Sequence, residues 1–427
     1  MTAAHGGGLH ARPARWSPAS AVLSVLGLCA LMGLPFLRVA PNRMLSGEPV
    51  YFWDALMNPA WAGKAVDSPL AAGLAAAFSP ALSPALFPAL VLGLLLVLWV
   101  LPFMAPKRSS LWLQAGLASV LVVACVALAG WQASQLVRPD LPFGRTSLGG
   151  AFWALLVILW LMATDALQRL DVGIVARMIL LTAVVLAISL LLSLGACDDL
   201  SIMKEHANRS DVFAAAIARH VEIVLLALLP TLCIGVPLGW WISRHRTAGQ
   251  TLFPVLNVIQ TLPSIALFGL LMAPLALLAA AWPGLARAGI SGVGMAPGVI
   301  ALTLYSLLPV VRGTLAGFEA VPSAVVTAAR GMGLSQAQIF MRVELPLALP
   351  VLLAGVRTAT IQAVGLTTVT ALIGAGGLGA IMFEGLFSSA PDLVLLGVLP
   401  VIALAVGVDA LFKLLITLTT LTRGPQP

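Results

Sequence analysis

Charged residues are scarce in this chain of 427 residues: Asp, Glu, Lys and Arg together make up 9%, against 60% hydrophobic residues. Soluble domains carry about a quarter charged residues, so the composition excludes an ordinary soluble protein. Runs of about 20 apolar residues recur along the chain and match the hydrocarbon thickness of a bilayer. The short alternating segments of a β-barrel are missing. We therefore predict an all-α, polytopic membrane protein.

Several chemical signatures are also missing. The four cysteines are widely spread and form no CxxC pair, which disfavours a metal or redox site. No GxxxxGK[ST], HExxH or GxSxG pattern occurs, so the sequence offers no phosphate-binding loop and no sign of a membrane enzyme. The net charge of +7 comes from basic residues scattered between apolar runs. That distribution favours membrane orientation over nucleic-acid binding.

Ten apolar runs predict about ten transmembrane helices. The first five lie near residues 19–37, 83–104, 111–133, 148–168 and 174–196, and the second five lie near 213–242, 252–281, 289–311, 347–373 and 392–416. Residues 66–90, with their repeated Ser-Pro pairs, fit either a loop or a re-entrant segment.

The positions of Lys and Arg predict the orientation, because positive charges concentrate in cytoplasmic loops. With the N-terminus inside, the basic residues that fall on the cytoplasmic side are Arg12, Arg15, Lys107, Arg108, Arg169, Arg177, Arg244, Arg246, Arg312, Arg330, Arg342, Lys413 and Arg423. In the opposite loops, acidic residues offset the basic ones. We therefore predict that both termini and the 319–346 loop are cytoplasmic.

The most charged stretch, CDDLSIMKEHANRSD from Cys197, divides the chain. We predict an accessory transmembrane domain of about five helices at 1–196 and an external linker at 197–212. The functional core would be 213–420, because its five spans hold the motifs, followed by a cytoplasmic tail at 421–427.

The 319–346 loop is polar and punctuated by glycine, unlike the spans around it. Its sequence predicts one short helix that ends in a tight turn at Gly333 and Leu334, because glycine favours the left-handed backbone that ends helices. Ser335 fits the N-cap of a second short helix. We expect Leu345-Pro346 to break that helix before the next span.

An apolar stripe of Ile339, Phe340 and Val343 would lie on one face of this second helix. We expect that face to be open to water, which suits the loop to docking a cytoplasmic partner. The alternative is a helix that lies on the membrane surface.

The same loop resembles the EAA motif, EAA-x3-G-x9-I-x-LP, of the permease subunits of ATP-binding-cassette (ABC) importers. Every spacing is kept, but Thr327 stands where the family has Glu and Val343 where it has Ile. Thr327 lacks the charge that could pair with the ATPase. By resemblance, the residues expected to couple to an ATPase are Thr327, Ala328, Ala329, Arg330, Gly333, Leu334, Ile339, Val343, Leu345 and Pro346.

Further stretches, including GVPLGWWISRHR, RVELPLALPVLLAGVRTAT and ALIGAGGLGA, resemble permeases of osmoprotectant importers for glycine betaine, choline or carnitine. The resemblance covers 213–420 and implies a type I importer-like five-helix core in a bacterial inner membrane. It also implies two cytoplasmic ATPase copies that bind ATP and Mg²⁺, a second permease subunit (identical or homologous) and an external substrate-binding protein. This chain itself would bind no cofactor and no nucleic acid.

Polar residues interrupt one predicted span at QTLPS. Gln260, Thr261, Pro263 and Ser264 could line a translocation path, because a proline frees a backbone carbonyl of the helix. The alternative is ordinary hydrogen bonding between helices.

A glycine-rich segment, GAGGLG, follows a later span. Its spacing matches a dinucleotide-binding pattern, but that pattern requires a preceding β-strand. We interpret Gly374, Gly376, Gly377 and Gly379 as a hinge or gate, with a plain bend between spans as the alternative.

Two rival functions remain at this point, an ion-coupled carrier or channel and a membrane enzyme. No obvious relay of charged residues crosses a span, which disfavours a proton-driven carrier. Transport without any ATPase would favour the carrier.

Overall fold

The computed structural model describes residues 17–42, 45, 47–54, 86–104, 107–137, 143–287 and 289–421, and most of these residues are helical. The chain forms two units, Met1–Lys204 and Glu205–Pro427. Most of the ambiguous 66–90 segment lies outside the described residues, as does nearly all of the predicted tail at 421–427.

The first unit is a bundle of apolar helices around one hydrophobic core. Its described helices, in chain order, are α1 (Pro18–Gly33), α2 (Leu86–Val100), α3 (Arg108–Gln135), α4 (Gly150–Arg169) and α5 (Ile174–Ser193), and the short α6 (Ser201–Ala207) crosses the boundary between the units. A polar cluster joins α1, α3 and α4. Asp165 accepts a hydrogen bond from Ser20 at 2.6 Å, and Gln114 donates to Ser20 at 3.0 Å. Arg169 completes the cluster with an ion pair to Asp165 at 2.9 Å.

The first unit also contains a small antiparallel sheet that the sequence did not predict. Strand β1 (Leu37–Ala40) lies between β2 (Glu48–Val50) and β3 (Arg145–Leu148), with Leu37 opposite both Val50 and Leu148. The strands are three or four residues long and come from distant loops. No alternation of side chains can therefore be recognised in the sequence.

The second unit carries the motif-rich half of the chain. Its described helices are α7 (Ser210–Arg244), α8 (Arg246–Thr261), α9 (Ser264–Ala281), α10 (Pro283–Arg287), α11 (Met295–Glu319), α12 (Ser323–Gly331), α13 (Gln336–Ile339), α14 (Leu345–Thr367), α15 (Leu378–Phe387) and α16 (Pro391–Leu421). A π-helical turn, Phe340–Glu344, joins α13 to α14, and a 3-10 turn, Val369–Ile373, follows α14.

Within the described ranges, nine helices are long and apolar enough to cross a membrane. With the shorter α1, they correspond one to one with the ten predicted spans, so the all-α polytopic fold is confirmed. The predicted span 252–281 differs in detail, because its helix breaks before Pro263 and only α9 is long enough to span. The predicted span 289–311 begins late, at Met295, after Gly289 and Gly294 adopt positive φ.

Helices α7, α11 and α14 pack closely because small residues meet at their crossings. A Cβ atom added at Gly355 of α14 would lie 2.7 Å from the Cα of Gly313 on α11 and 2.8 Å from the carbonyl oxygen of Pro309. A Cβ at Gly239 of α7 would lie 2.6 Å from Cβ of Thr314. Apolar association gains little inside lipid, so such close packing is what holds membrane helices together.

The contact at Gly355 gives a stability prediction. Gly355→Ala forces α14 away from backbone atoms of α11, and overpacking of this kind costs about 1–3 kcal/mol. We expect the Tm of the detergent-solubilised protein to fall by several degrees, measured by thermal unfolding. Gly365→Ala on the same helix is the matched control, because no atom lies within 4 Å of its added Cβ. Equal Tm values for the two variants would contradict the packing argument.

Candidate functional site

The 319–346 loop contains the predicted turn at Gly333. Helix α12 ends there because Gly333 takes φ +82, a left-handed conformation that glycine adopts at low cost. The amide of Leu334 donates to the carbonyl of Ala329 at 3.3 Å, and that of Gly333 donates to Arg330 at 3.0 Å. This hydrogen-bond pattern is a Schellman motif.

Helix α13 begins at the predicted N-cap. The Ser335 hydroxyl accepts the amide N–H of Gln338 at 3.3 Å, and the Gln338 side chain accepts the amide N–H of Ser335 at 2.9 Å. These two bonds form a capping box. The sequence thus predicted the turn and the restart of the helix correctly.

The prediction that Leu345-Pro346 breaks the helix is wrong. The chain stays helical from Gln336 to Thr367, through the π-turn at Phe340–Glu344. A proline ring normally clashes with the carbonyl four residues back. The π-turn widens the backbone just before Pro346, so α14 begins at Leu345 and accommodates the ring in its first turn.

The predicted apolar stripe faces the protein instead of water, which corrects that expectation. Ile339 is buried, and Phe340 packs between two rings, with centroids 5.5 Å from Trp240 of α7 and 5.8 Å from Phe318 of α11. Val343 is half-buried. The stripe therefore attaches the loop to α7 and α11.

A different set of side chains forms the outer face of the loop. Met332, Met341 and Val325 are exposed apolar residues, with 74%, 63% and 42% of their surface accessible. Thr327 is also exposed, and its hydroxyl donates to the carbonyl of Ser323 at 2.9 Å. The remaining predicted loop residues divide between exposed Ala328 and Arg330, buried Ala329, and half-buried Leu334, Leu345 and Pro346.

An ion pair that the sequence did not reveal fixes the end of the loop. The Arg244 guanidinium, at the end of α7, contacts the carboxylate of Glu344 in the π-turn. The side chain of Glu344 is only 7% exposed. Arg244 lies within GVPLGWWISRHR and Glu344 directly precedes Leu345-Pro346, but the two residues are 100 positions apart and nothing in the sequence pairs them.

The QTLPS segment is held by one tyrosine. Gln260 donates to the backbone carbonyl of Tyr305 at 2.8 Å, and the Tyr305 hydroxyl donates to the carbonyl of Leu262 at 2.6 Å. These bonds satisfy backbone and side-chain groups at the break before Pro263. Thr261 is exposed and donates to its own helix, at the carbonyl of Val258. Gln260 thus makes a hydrogen bond between α8 and α11, and Ser264 begins α9.

The glycine segment is a series of defined turns. Gly374, Gly376 and Gly377 all have positive φ, between +78 and +85. A Cβ at Gly379 would lie 2.0 Å from the carbonyl oxygen of Thr368, so no larger residue fits there. Arg219 of α7 donates to the carbonyl of Ala375 at 3.1 Å.

A second contact ties α7 to this region. The guanidinium of Arg209, the N-cap residue of α7, forms a bidentate ion pair with the carboxylate of Glu384 on α15, at 2.6 and 2.5 Å. These hydrogen bonds raise the pKa of Arg209 above its ordinary value. Neighbouring His220 is buried, and its Nε2 lies 3.0 Å from the carbonyl oxygen of Val364. The N-terminal part of α7 is thus fixed against α14, α15 and the glycine segment.

The structure also reveals a charge cluster within the spans. Asp409 of α16 accepts from Arg357 of α14 at 2.6 Å and pairs with Lys413 at 2.7 Å. Asp409 and Lys413 are four residues apart on one helix. Nothing in the sequence pairs Asp409 with Arg357, although a lone arginine inside an apolar run is a visible signal. In the described parts of the chain, no group of three or more His, Cys, Asp or Glu residues could hold a metal ion.

Comparison with known families matches both halves of the chain. Residues 15–100 and 69–203 match the N-terminal domain of the ABC transporter permease YehY. Residues 233–419 match the inner membrane component of binding-protein-dependent transport systems.

Curated relatives match along most of their length. The osmoprotectant import permease protein OsmW of Salmonella typhimurium is 36% identical over 213 residues, which cover 50% of this chain and 94% of OsmW. The chain belongs to the binding-protein-dependent ABC importer permeases. The choline transport system permease protein OpuBB of Bacillus subtilis is also 36% identical to this permease, over 44% of this chain and 80% of OpuBB.

Among solved structures, a chain of the MetNI methionine ABC transporter in an inward-facing conformation is 19% identical, with a TM-score of 0.42. The match covers 50% of this permease and 98% of the MetNI chain. Family membership makes this protein a multi-pass inner-membrane transport subunit, and the family implies an ATPase and a substrate-binding protein as partners.

Proposed function

We propose that this permease translocates a small quaternary-ammonium osmoprotectant of the glycine betaine or choline type. One observation carries the proposal: relatives at 33–36% identity over the core are named for the transport of choline, carnitine and glycine betaine. Because fold alone does not fix a substrate, the substrate is the part that needs a direct test.

ATP would be hydrolysed on separate subunits. The sequence contains no GxxxxGK[ST] loop, so ATP and Mg²⁺ would lie on two copies of a cytoplasmic ATPase. These would dock on the outer face of the 319–346 loop. Exposed Met332, Met341 and Val325 supply an apolar surface there, and methionine adapts its shape to a partner's groove.

The remaining partners follow from the family. A second permease subunit, identical or homologous, would complete the transport path, and an external binding protein would deliver the substrate. Gln260, Thr261, Pro263 and Ser264, together with the glycine segment 374–379, are the residues we propose for the path and its gate.

The test is uptake by proteoliposomes that hold this permease with its ATPase and receive the binding protein outside. We expect uptake of glycine betaine or choline that requires ATP inside the vesicles. N,N-dimethylglycine, which lacks one N-methyl group, should be taken up much less than glycine betaine. The isolated permease should hydrolyse no ATP.

Two results would contradict the proposal in separable ways. Uptake driven by an ion gradient without any ATPase would show a secondary carrier. ATP-driven uptake of another solute, with none of the quaternary ammonium compounds, would overturn the substrate alone.

Docking on the loop predicts that its turn is essential. Gly333→Val forces a β-branched residue into φ +82, where L-residues cost about 1–2 kcal/mol. We expect normal membrane levels, because the residue lies outside the spans, but loss of ATPase co-purification and of uptake. Thr327→Ala should be milder, because no charge is removed.

Gly331→Val is the matched control for Gly333→Val. Gly331 is helical, and like Gly333 it has no atom within 4 Å of an added Cβ. Full uptake and ATPase binding by Gly333→Val would show that this loop is not the docking element.

We also propose that both termini and the 319–346 loop are cytoplasmic. Reporter enzymes fused after Arg246 and after Ser335 should report the cytoplasm, and a fusion after Asp199 should report the outside. An external Ser335 would place the loop out of reach of any cytoplasmic ATPase.

A further inference from the structure

The 319–346 loop has an attached face as well as an exposed one. Glu344 is the only acidic residue in residues 320–346, and its carboxylate is almost completely buried. A carboxylate in such a place is costly unless a cation compensates it. Arg244, the last residue of α7, is its ion-pair partner.

A ring contact lies one helical turn away from this ion pair. Trp240 precedes Arg244 by four residues on α7, and Phe340 precedes Glu344 by four residues on the loop, so each pair shares one face of its helix. The Trp240 and Phe340 rings meet edge to face at 5.5 Å. The loop is therefore attached to α7 at two successive turns.

Helix α7 extends from this attachment to the glycine segment. Near its other end, Arg219 donates to the carbonyl of Ala375 at 3.1 Å. Arg219 and Arg244 are about 38 Å apart along the helix, at 1.5 Å per residue. A continuous set of contacts thus runs from Glu344 through α7 to the turns at Gly374–Gly377.

We propose that Arg244 and Glu344 are positioning residues that transmit a displacement of the loop to α7, and through α7 to the glycine segment. Glu319 at the start of the loop is exposed, and Thr327 stands where the family motif has Glu. The carboxylate of Glu344 instead points inward and fixes the loop to a spanning helix. This inference rests on the proposed docking of ATPases on the same loop.

Charge reversal tests the pair in the assembled transporter with its ATPase and binding protein. We compare Arg244→Glu, Glu344→Arg and the double variant Arg244→Glu/Glu344→Arg. At matched membrane levels, each single change should reduce uptake about tenfold while the ATPase still co-purifies, and the number of ATP molecules hydrolysed per substrate should rise. The double variant should regain uptake to within about threefold of wild type.

Arg169→Gln is the control, because Arg169 pairs with Asp165 four residues away on α4, and neither residue belongs to the loop, to α7 or to the glycine segment. It should leave uptake and the ATP-to-substrate ratio unchanged. Single variants with wild-type uptake, or a double variant no better than the singles, would overturn the proposal. If the single variants fail to accumulate in the membrane, the double variant decides between the two roles. Uptake by the double variant supports the proposal. A double variant that accumulates but takes up no substrate means that the pair is only structural.

The same experiment separates this inference from the proposed function. Wild-type uptake that does not depend on ATP would defeat the proposed function before any variant is compared. If wild-type uptake is driven by ATP but the double variant does not regain uptake, the pair has no coupling role and the proposed function still holds.

Discussion

Backbone hydrogen bonding without water is the constraint on which the second unit depends. In a bilayer, every amide and carbonyl must find a partner inside the protein, so any interruption of a helix needs a neighbour to satisfy it. The break before Pro263 meets this requirement through Tyr305, whose hydroxyl donates to the carbonyl of Leu262 and whose carbonyl accepts from the Gln260 side chain. The turn at Gly374–Gly377 meets it through Arg219 of α7. The interruptions are thus places where helices are fixed to one another.

This constraint explains why the helix survives at Pro346. A complete break there would leave carbonyls unpaired at the level where the chain enters the membrane. The π-turn keeps the helix hydrogen-bonded and gives the proline ring room. It also places Glu344 and Phe340 toward α7 and α11. One local adjustment therefore joins the loop mechanically to the spans.

Sequence reasoning succeeded where structure follows from neighbouring residues. Span lengths follow from hydrophobic runs, and the turn at Gly333 and the cap at Ser335 depend on residues within one helical turn. It failed where partners are distant in sequence. Whether the stripe at Ile339 and Phe340 faces water depends on α7 and α11, and the Arg357–Asp409 contact joins residues 52 positions apart. The β-sheet was not predicted for the same reason, because its strands come from segments that are distant in the sequence.

The charges of the second unit are arranged in a way that suits a moving assembly. Arg209–Glu384 and Arg244–Glu344 each tie one end of α7 to another element, and Arg357–Asp409 joins α14 to α16 deeper within the spans. An ion pair holds two helices at one point, and unlike close glycine packing it can re-form after its partners rotate. Both α7 and α14 cross α11 at glycines, where an added Cβ would meet the neighbouring helix. We therefore infer that α7, α11 and α14 move together at these crossings, while the ion pairs near the two ends of α7 set its position against α15 and the loop.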